Sequence, residues 1–260
     1  MDIATIVEAL AAGGLIGFVL GLVGGGGSIL AVPLLVYWVG VTDTHQAIGT
    51  AAVAVALNAL IGLVGHARAR NVKWNCATVF ALSGVVGAAL GAEAGKAMNG
   101  AHLLTAFGGL MVVVGILTIR GRKGGEDPGV HLDAGSARRL MPRLVGLGLA
   151  VGLLAGFFGI GGGFLIVPGL IAATAMPIGV AVGSSLVVVT ALGITTAASY
   201  ALSGYVDWTL VGLLATGGAV GSVAGRLVGS RLAQSKNLLN RGFGLMVIAI
   251  GFFVIFKPAG

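Results

Sequence analysis

The chain has 260 residues, of which 57% are apolar and 9% are charged, and its mean hydropathy is +1.06. Soluble domains carry about 25% charged residues, so this composition excludes an ordinary soluble fold and predicts an all-α polytopic membrane protein. The single cysteine, Cys76, excludes a disulfide framework and a cysteine metal site. The net charge of +7 resides in loops between apolar stretches, which is typical of the positive-inside rule and not of nucleic-acid binding.

Eight apolar segments follow one another along the chain, each near the roughly 20 residues that a bilayer needs. The predicted segments are 3–40, 46–66, 74–95, 102–119, 143–173, 178–203, 208–229 and 238–256. The longest polar interval separates the fourth segment from the fifth. We therefore expect a first repeat over 1–120, a basic linker over 121–142 and a second repeat over 143–260.

The first and fifth segments are each interrupted by glycines and then by a proline. The runs are Gly24–Ser28, before Pro33, and Gly159–Gly163, before Pro168. Each glycine costs a helix interior about 1 kcal/mol relative to alanine, so both runs predict a break. Lipid cannot satisfy the backbone groups that a break frees, so protein or a polar cavity must do so. Broken helices at equivalent positions in two halves indicate a transporter's binding site.

The halves form an internal repeat at an offset of 134–135 residues. The matching glycines include Gly84, Gly87, Gly91 and Gly95 in the third segment, and Gly218, Gly221, Gly225 and Gly229 in the seventh. Their spacing puts a glycine stripe on one helix face and predicts close helix packing. If each broken segment crosses once, the halves are parallel and the Lys and Arg residues divide 10 to 5. If each enters and returns, the halves are inverted and the division is 13 to 2. The orientation rule favours inverted repeats.

A binding site for an anion has to be built without a basic side chain, because no Lys or Arg lies in the middle of an apolar segment. Helices are predicted to restart at Ser28–Ile29 and at Gly163–Phe164. The first N–H groups of a helix lack partners and carry about half a positive charge together, so such ends bind anions. The two restarts therefore predict a site for a small oxyanion, and the alternative is that the glycines only allow tight packing.

Polar side chains nearby complete the candidate site. Ser28 could donate to an anion or N-cap the restarted helix. Asn58 is the best single side chain, whereas Ser and Thr in membrane helices usually bond to their own backbone. The predicted substrate-binding residues are Gly24, Gly26, Gly27, Ser28, Thr50, Asn58, Gly159, Gly161, Gly162, Gly163, Ser184 and Ser185.

No HExxH, GxSxG or Walker A motif occurs, so the chain is not predicted to be an enzyme, and neither a cofactor nor a metal is expected. The expected partners are a small anionic substrate and the lipid bilayer, and no nucleic acid. A proton is the candidate coupling ion, with Asp43 and His45 as a weak candidate relay. Assembly into a homo-oligomer stays open.

The doubled glycine motif resembles that of the TauE/SafE sulfite exporter family. The residues that carry the resemblance are Gly24 to Pro33, Gly159 to Pro168, Gly49-Thr50, Gly183 to Ser185, and the Val-x-Trp of Val72 to Trp74 and Val206 to Trp208. It covers essentially the whole chain. It implies a secondary carrier in the bacterial inner membrane that exports sulfite, sulfonates or sulfoacetate-like anions, by alternating access with substrate between the two breaks. The basic linker 121–142 would be cytoplasmic. The alternatives are a carrier or channel for another small solute, and a non-catalytic subunit of a membrane complex.

Overall fold

The structure is a computed structural model that describes residues 2–23, 25–120, 130, 132, 134–159, 161, 163–232 and 236–256. Within these ranges the chain is mostly helical, without a strand, and seven helices are long and apolar enough to cross a membrane. The prediction of an all-helical, multi-pass membrane protein is therefore confirmed. The helices in this part are α1 (Ile3–Val23), α2 (Ala31–Tyr37), α3 (Thr44–Arg68), α4 (Trp74–Lys96), α5 (Gly100–Arg120), α6 (Ala134–Phe157), α7 (Gly163–Thr174), α8 (Ile178–Leu202), α9 (Trp208–Leu232) and α10 (Lys236–Phe256), with a 3₁₀ segment (Gly25–Leu30) between α1 and α2.

The helices follow the predicted segments, and both long segments are divided at their glycines. One boundary differs, because α6 begins at Ala134, inside the interval that the sequence indicated as a linker. Its first turns bury Leu140 and Leu144 and leave Arg138 and Arg139 exposed. An amphipathic turn of this kind extends a helix beyond the continuous apolar run from which a sequence boundary is drawn.

The first helix of each half packs against a helix of the other half. α1 packs along α9 from the second half, and its counterpart α6 packs along α4 from the first half. α3 pairs with its own counterpart α8, and α5 pairs with its counterpart α10. The halves are therefore interlocked, since each contributes one helix to each of the two tightest pairs.

Glycines bring these two pairs to backbone contact. A Cβ added to Gly17 of α1 would lie 2.6 Å from the Cα of Gly218, and one added to Gly152 of α6 would lie 2.6 Å from the Cα of Gly84. Gly17 corresponds to Gly152 in the repeat, and Gly84 to Gly218. The glycine stripe of α4 and α9 therefore serves close packing, as predicted.

The order of contacts along each pair gives the helix directions. Gly13, Gly17 and Gly21 of α1 lie in turn on Leu214, Gly218 and Ser222 of α9. These two helices therefore run parallel. α3 and α8 instead run antiparallel, because Gly62 of α3 meets Leu186, while the earlier residue Ala56 meets the later residue Gly193.

The remaining pairs complete the set of directions. α3 runs parallel to α9, as the contacts of Gly49 with Tyr205 and of Gly65 with Arg226 require. By the same reasoning α4 runs parallel to both α6 and α8. It follows that α1 and α6, the first helices of the two halves, point in opposite directions. Inversion of the halves across a membrane stays a prediction, and these directions support it.

Replacing either glycine at the centre of the interlocked pairs should lower thermal stability. In Gly17→Ala and Gly152→Ala the new Cβ meets partner backbone, and overpacking of this kind costs about 1–3 kcal/mol. Gly146→Ala and Gly212→Ala are matched controls, because nothing lies within 4 Å of a Cβ at either helical position. The controls should be neutral or stabilised. Thermal unfolding of purified protein in detergent measures the difference, and equal melting temperatures in all four variants would contradict the packing described.

Candidate functional site

The first break contains helical turns of its own. α1 ends at Val23, the chain continues as 3₁₀ helix over Gly25–Leu30, and α2 follows without a gap. The helix therefore resumes three residues before the predicted Ser28–Ile29 restart. Ser28 is fully buried inside the 3₁₀ segment. Its predicted role as an N-cap is wrong, because the N-cap of α2 is Leu30, which makes no side-chain cap.

The second break is a turn with two left-handed residues. α6 ends at Phe157, Gly159 and Gly161 have φ of +66° and +61°, and α7 starts at Gly163 as predicted. Non-glycine residues seldom adopt such backbone angles, so glycine is needed at both positions. Gly24 and Gly162, also predicted as site residues, lie outside the described residues.

The two breaks meet in the middle of the bundle. The 3₁₀ segment of the first packs against α7 of the second. A Cβ built on Gly161 would lie 3.6 Å from Val55 of α3 and 3.9 Å from Val189 of α8. Both valines occupy the middle turns of their helices. These are ordinary van der Waals distances, so the packing around Gly161 is less tight than the packing around Gly26 and Gly27 of the first break.

Two glycines of the first break are used for packing. A Cβ on Gly27 would lie 2.5 Å from the backbone O of Ile16 and the backbone N of Leu20, both on α1. A Cβ on Gly26 would lie 2.7 Å from the ring of Phe243 on α10. The packing alternative raised from the sequence therefore accounts for Gly26 and Gly27, whereas a Cβ at Gly161 would be accommodated at van der Waals contact and glycine is required there by its backbone angle.

Asn58 places a polar group in the apolar contact between α3 and α9. Its side chain is 1% exposed, its Nδ2 donates to the backbone O of Leu214 at 3.5 Å, and its Oδ1 has no partner. It lies directly on Gly218. At the equivalent place in the other half, Leu192 lies on Gly84. A long, single hydrogen bond leaves this buried amide under-satisfied, which is costly for a purely structural group.

Thr50 and Ser184 are equivalent in the repeat, and each makes a hydrogen bond to a loop of the other half. The Thr50 hydroxyl accepts from the backbone N–H of Asp207 at 3.0 Å, and the Ser184 hydroxyl accepts from that of Lys73 at 2.9 Å. Asp207 and Lys73 immediately precede α9 and α4. Each hydroxyl thus holds the loop at the start of a helix from the other half. Because α3 and α8 are antiparallel, the two hydroxyls lie toward opposite ends of the pair and are not brought together.

Ser185 satisfies itself within its own helix. Its hydroxyl donates to the backbone O of Val182 at 2.8 Å, and Thr190 and Thr195 do the same toward Leu186 and Ala191. These bonds are the usual state of Ser and Thr in membrane helices. Ser185 contacts no other candidate through its hydroxyl, so its role as a substrate ligand has no structural support beyond its position.

Several buried polar groups did not figure among the predicted site residues. Those with a buried, unpartnered atom are Tyr37, His45, His66, Thr196, Tyr200 and Ser222. One signal was available, since aligning the repeats pairs Ser222 with Ala88 and Arg226 with Ala92. Where one repeat has a polar residue and the other has alanine in an otherwise matching stretch, the two halves differ in function at that position.

The meeting of the breaks can hold a small anion by backbone groups. Neither α2 nor α7 carries a charged side chain. The first turn of the 12-residue α7 presents N–H groups without intrahelical partners, at the positive end of its dipole. Such a site attracts negative charge without a buried cation, and it offers no nucleophile and no paired acid and base.

The chain resembles known membrane proteins over nearly its whole length. Residues 9–254 match the sulfite exporter TauE/SafE family. A protein of Xylella fastidiosa strain Temecula1, named a probable membrane transporter protein, is 47% identical over 99% of this chain and 97% of its own length. The probable membrane transporter protein YunE of Bacillus subtilis is 27% identical over 91% and 92%. No solved structure matches significantly. The chain therefore belongs to the sulfite exporter TauE/SafE family and is a multi-pass membrane transporter.

Proposed function

We propose that this protein is a secondary transporter of small sulfur oxyanions, such as sulfite, a sulfonate or sulfoacetate, with its substrate bound where the two helix breaks meet. One observation carries the proposal, namely that the 3₁₀ segment of the first break packs on α7 of the second, while Gly161 of the second break lies against the middle turns of α3 and α8. Broken helices at matched positions of two repeats are where transporters bind substrate. Family membership supports sulfur anions as the cargo.

The charge at this place comes from backbone alone. An anion beside Gly161 would face the first N–H groups of α7 and the surrounding apolar walls of Val55 and Val189. Dipoles act strongly in such a dry, low-dielectric setting. A compact oxyanion with several acceptor oxygens suits N–H donors better than a metal cation, which would need carboxylates. Asn58 adds an amide that can donate as the contact between α3 and α9 opens.

In alternating access, the moving units would be helix pairs that each contain one helix from each half. Rocking the first half against the second would pull α1 from α9 and α4 from α6, which are in backbone contact. The rigid units are better taken as these pairs, turning about the antiparallel contacts of α3 with α8 and of α5 with α10. Thr50 and Ser184 then hold the loops at the two ends while the middle opens.

The charges support an orientation in the membrane, and the family name suggests a direction of transport. With the halves inverted, 13 of the 15 Lys and Arg residues fall on one side, which would be cytoplasmic in a bacterial inner membrane together with the linker 121–142. Export is the direction that the family name suggests. A proton is the candidate coupling ion, and homo-oligomeric assembly stays a prediction.

A bulky side chain at Gly161 should abolish transport. Gly161→Leu adds a side chain at the meeting of the breaks, whereas Gly212→Leu, on an open helix face, is the matched control. Labelled sulfite, sulfoacetate and taurine would be compared with lactate in proteoliposomes. Wild type and control should carry at least one sulfur anion in preference to lactate, and Gly161→Leu should carry none at equal protein incorporation. Absence of sulfur-anion flux in wild type, or full flux in Gly161→Leu, would refute the proposal.

Removing the loop-holding hydroxyls should reduce stability and leave substrate affinity unchanged. Thr50→Val and Ser184→Ala strand a backbone N–H, at a cost of about 1–3 kcal/mol. Thr216→Val is the control, because its exposed hydroxyl bonds only within its own helix. Melting temperature and the KM of flux are measured together. A KM raised about ten-fold at an unchanged melting temperature would instead make these hydroxyls substrate ligands.

Single cysteines test the inversion. In a Cys76→Ala background, Ala69→Cys and Ser203→Cys place exposed thiols in the equivalent loops of the two halves. An impermeant maleimide applied to intact cells and to inverted vesicles should label them from opposite sides, with Ala69→Cys reacting from the cytoplasm. Labelling of both from one side would mean parallel halves.

A further inference from the structure

A small cavity lies toward one end of the bundle. Four helices, α1, α3, α8 and α9, line it; it is partly open and its interior volume is about 20 Å³, space for about one water molecule. Its walls include Leu20, Gly62, His66, Leu186, Ser222 and Arg226. The helix directions put it at the end where the basic loops after α3 and α9 emerge.

Two polar groups of this cavity lack partners. Ser222 is 4% exposed and its hydroxyl makes no hydrogen bond, and the Nδ1 of His66 is likewise buried and unpartnered. A buried hydroxyl among apolar helices normally bonds to its own backbone, as Ser185 does. Ser222 does not, so the cavity presents a donor ready for a ligand.

Arg226 brings a positive charge to the same place. Its guanidinium reaches from α9 to α3 and occupies the space in front of Gly65, where a side chain would otherwise be. In the part of the chain that the structure describes, the one ion pair is Lys96 with Glu93, at 2.7 Å. Lys96 is thus neutralised at the opposite end of the bundle, and no described carboxylate neutralises Arg226.

The other half has no counterpart of this group. In the repeat, Ser222, Arg226 and His66 correspond to Ala88, Ala92 and Tyr200. Helix packing alone would not need this difference, since Gly221 and Gly225 pack on α1 as Gly87 and Gly91 pack on α6. The polar cluster therefore serves one end of the molecule only.

The cavity also adjoins the first break. Leu20 forms part of its wall, and the backbone of Leu20 is what Gly27 of the 3₁₀ segment rests on. One turn of α1 therefore separates the cluster from the break.

We propose that Arg226, Ser222 and His66 form a second oxyanion-binding site, at the basic end of the bundle, where an anion is held before it reaches the breaks. A guanidinium presents paired N–H groups that match two oxygens of an oxyanion. The cavity has space for one oxygen, next to the Ser222 hydroxyl, while the rest of the anion lies at the mouth beneath the guanidinium. The choice of sulfite as the ligand and its passage onward to the breaks rest on the proposed function, whereas anion binding at this cluster does not.

The test is binding of labelled sulfite to purified protein in lipid-free detergent, in a Gly161→Leu background that closes the central site. About one equivalent should remain bound. Arg226→Gln should weaken binding by about ten-fold or more, which is the effect expected for losing a charged hydrogen-bond partner. Ser222→Ala should weaken sulfite binding several-fold. The affinity of Arg226→Lys should lie between that of Arg226→Gln and that of the protein with Arg226 intact. Lys96→Gln is the matched control and should change nothing.

Gly65→Ala tests the geometry without altering charge, because its Cβ would displace the guanidinium. It should weaken binding as Arg226→Gln does. No saturable binding, or binding indifferent to Arg226→Gln, would overturn the proposal. If Gly161→Leu does not fold, the second site is tested instead by measuring sulfite flux in protein whose only substitution is Arg226→Gln. Arg226→Gln should raise KM for anion supplied at the basic side and leave KM from the other side unchanged, and an equal KM from both sides would overturn it.

A lipid phosphate has the same chemistry as a free oxyanion, so binding is repeated in nanodiscs of phosphatidylcholine and of phosphatidylglycerol. Arg226-dependent sulfite binding should persist in both, and its loss in phosphatidylglycerol would assign the site to lipid. This proposal and the central site fail separately. Arg226-dependent binding without wild-type flux would refute transport alone, whereas flux blocked by Gly161→Leu but indifferent to Arg226→Gln would refute the second site alone.

Discussion

A backbone group that leaves a helix inside a membrane must find another partner, and the rest of this structure depends on how that is achieved. Lipid offers no hydrogen bonds, so a break is stable only where protein or a polar cavity meets it. Here each break packs on the other at the middle of α3 and α8. The two breaks thus support each other, which accounts for the glycine runs occurring as a matched pair.

The helix pairs on either side of the two breaks hold them in place, because each pair joins a helix of the first half to a helix of the second. α1 with α9, and α4 with α6, approach so closely that glycine backbones touch, and both pairs are formed by one helix from each half. The two halves cannot slide as separate bodies without parting those faces. Between the pairs lie α3 and α8. The under-bonded Asn58 is on α3, and Gly161 of the second break lies at van der Waals distance from both helices.

Most of the fold could be read from the sequence, since apolar length and glycine runs are local properties. The helix start at Gly163 and the packing role of the glycine stripe are examples. What could not be read depends on neighbours distant in the chain. Ser28 lies within a 3₁₀ segment because that segment packs between α1 and α7, and Thr50 and Ser184 bond to loops of the opposite half. Arg226 lies near the end of the predicted segment 208–229, but the sequence could not show that its guanidinium lies against Gly65 of α3.

The interlocking also constrains how the chain can be made. α1 is synthesised about two hundred residues before α9, the helix whose surface fits its glycines. Contacts so distant in sequence form slowly, and surfaces that await them are exposed to wrong partners. Until α9 is synthesised, the glycine face of α1 is therefore in contact with lipid or with the insertion machinery. A chain cut after the first half would retain the helices but have no surface on which to close them, so assembly is committed only when α9 arrives.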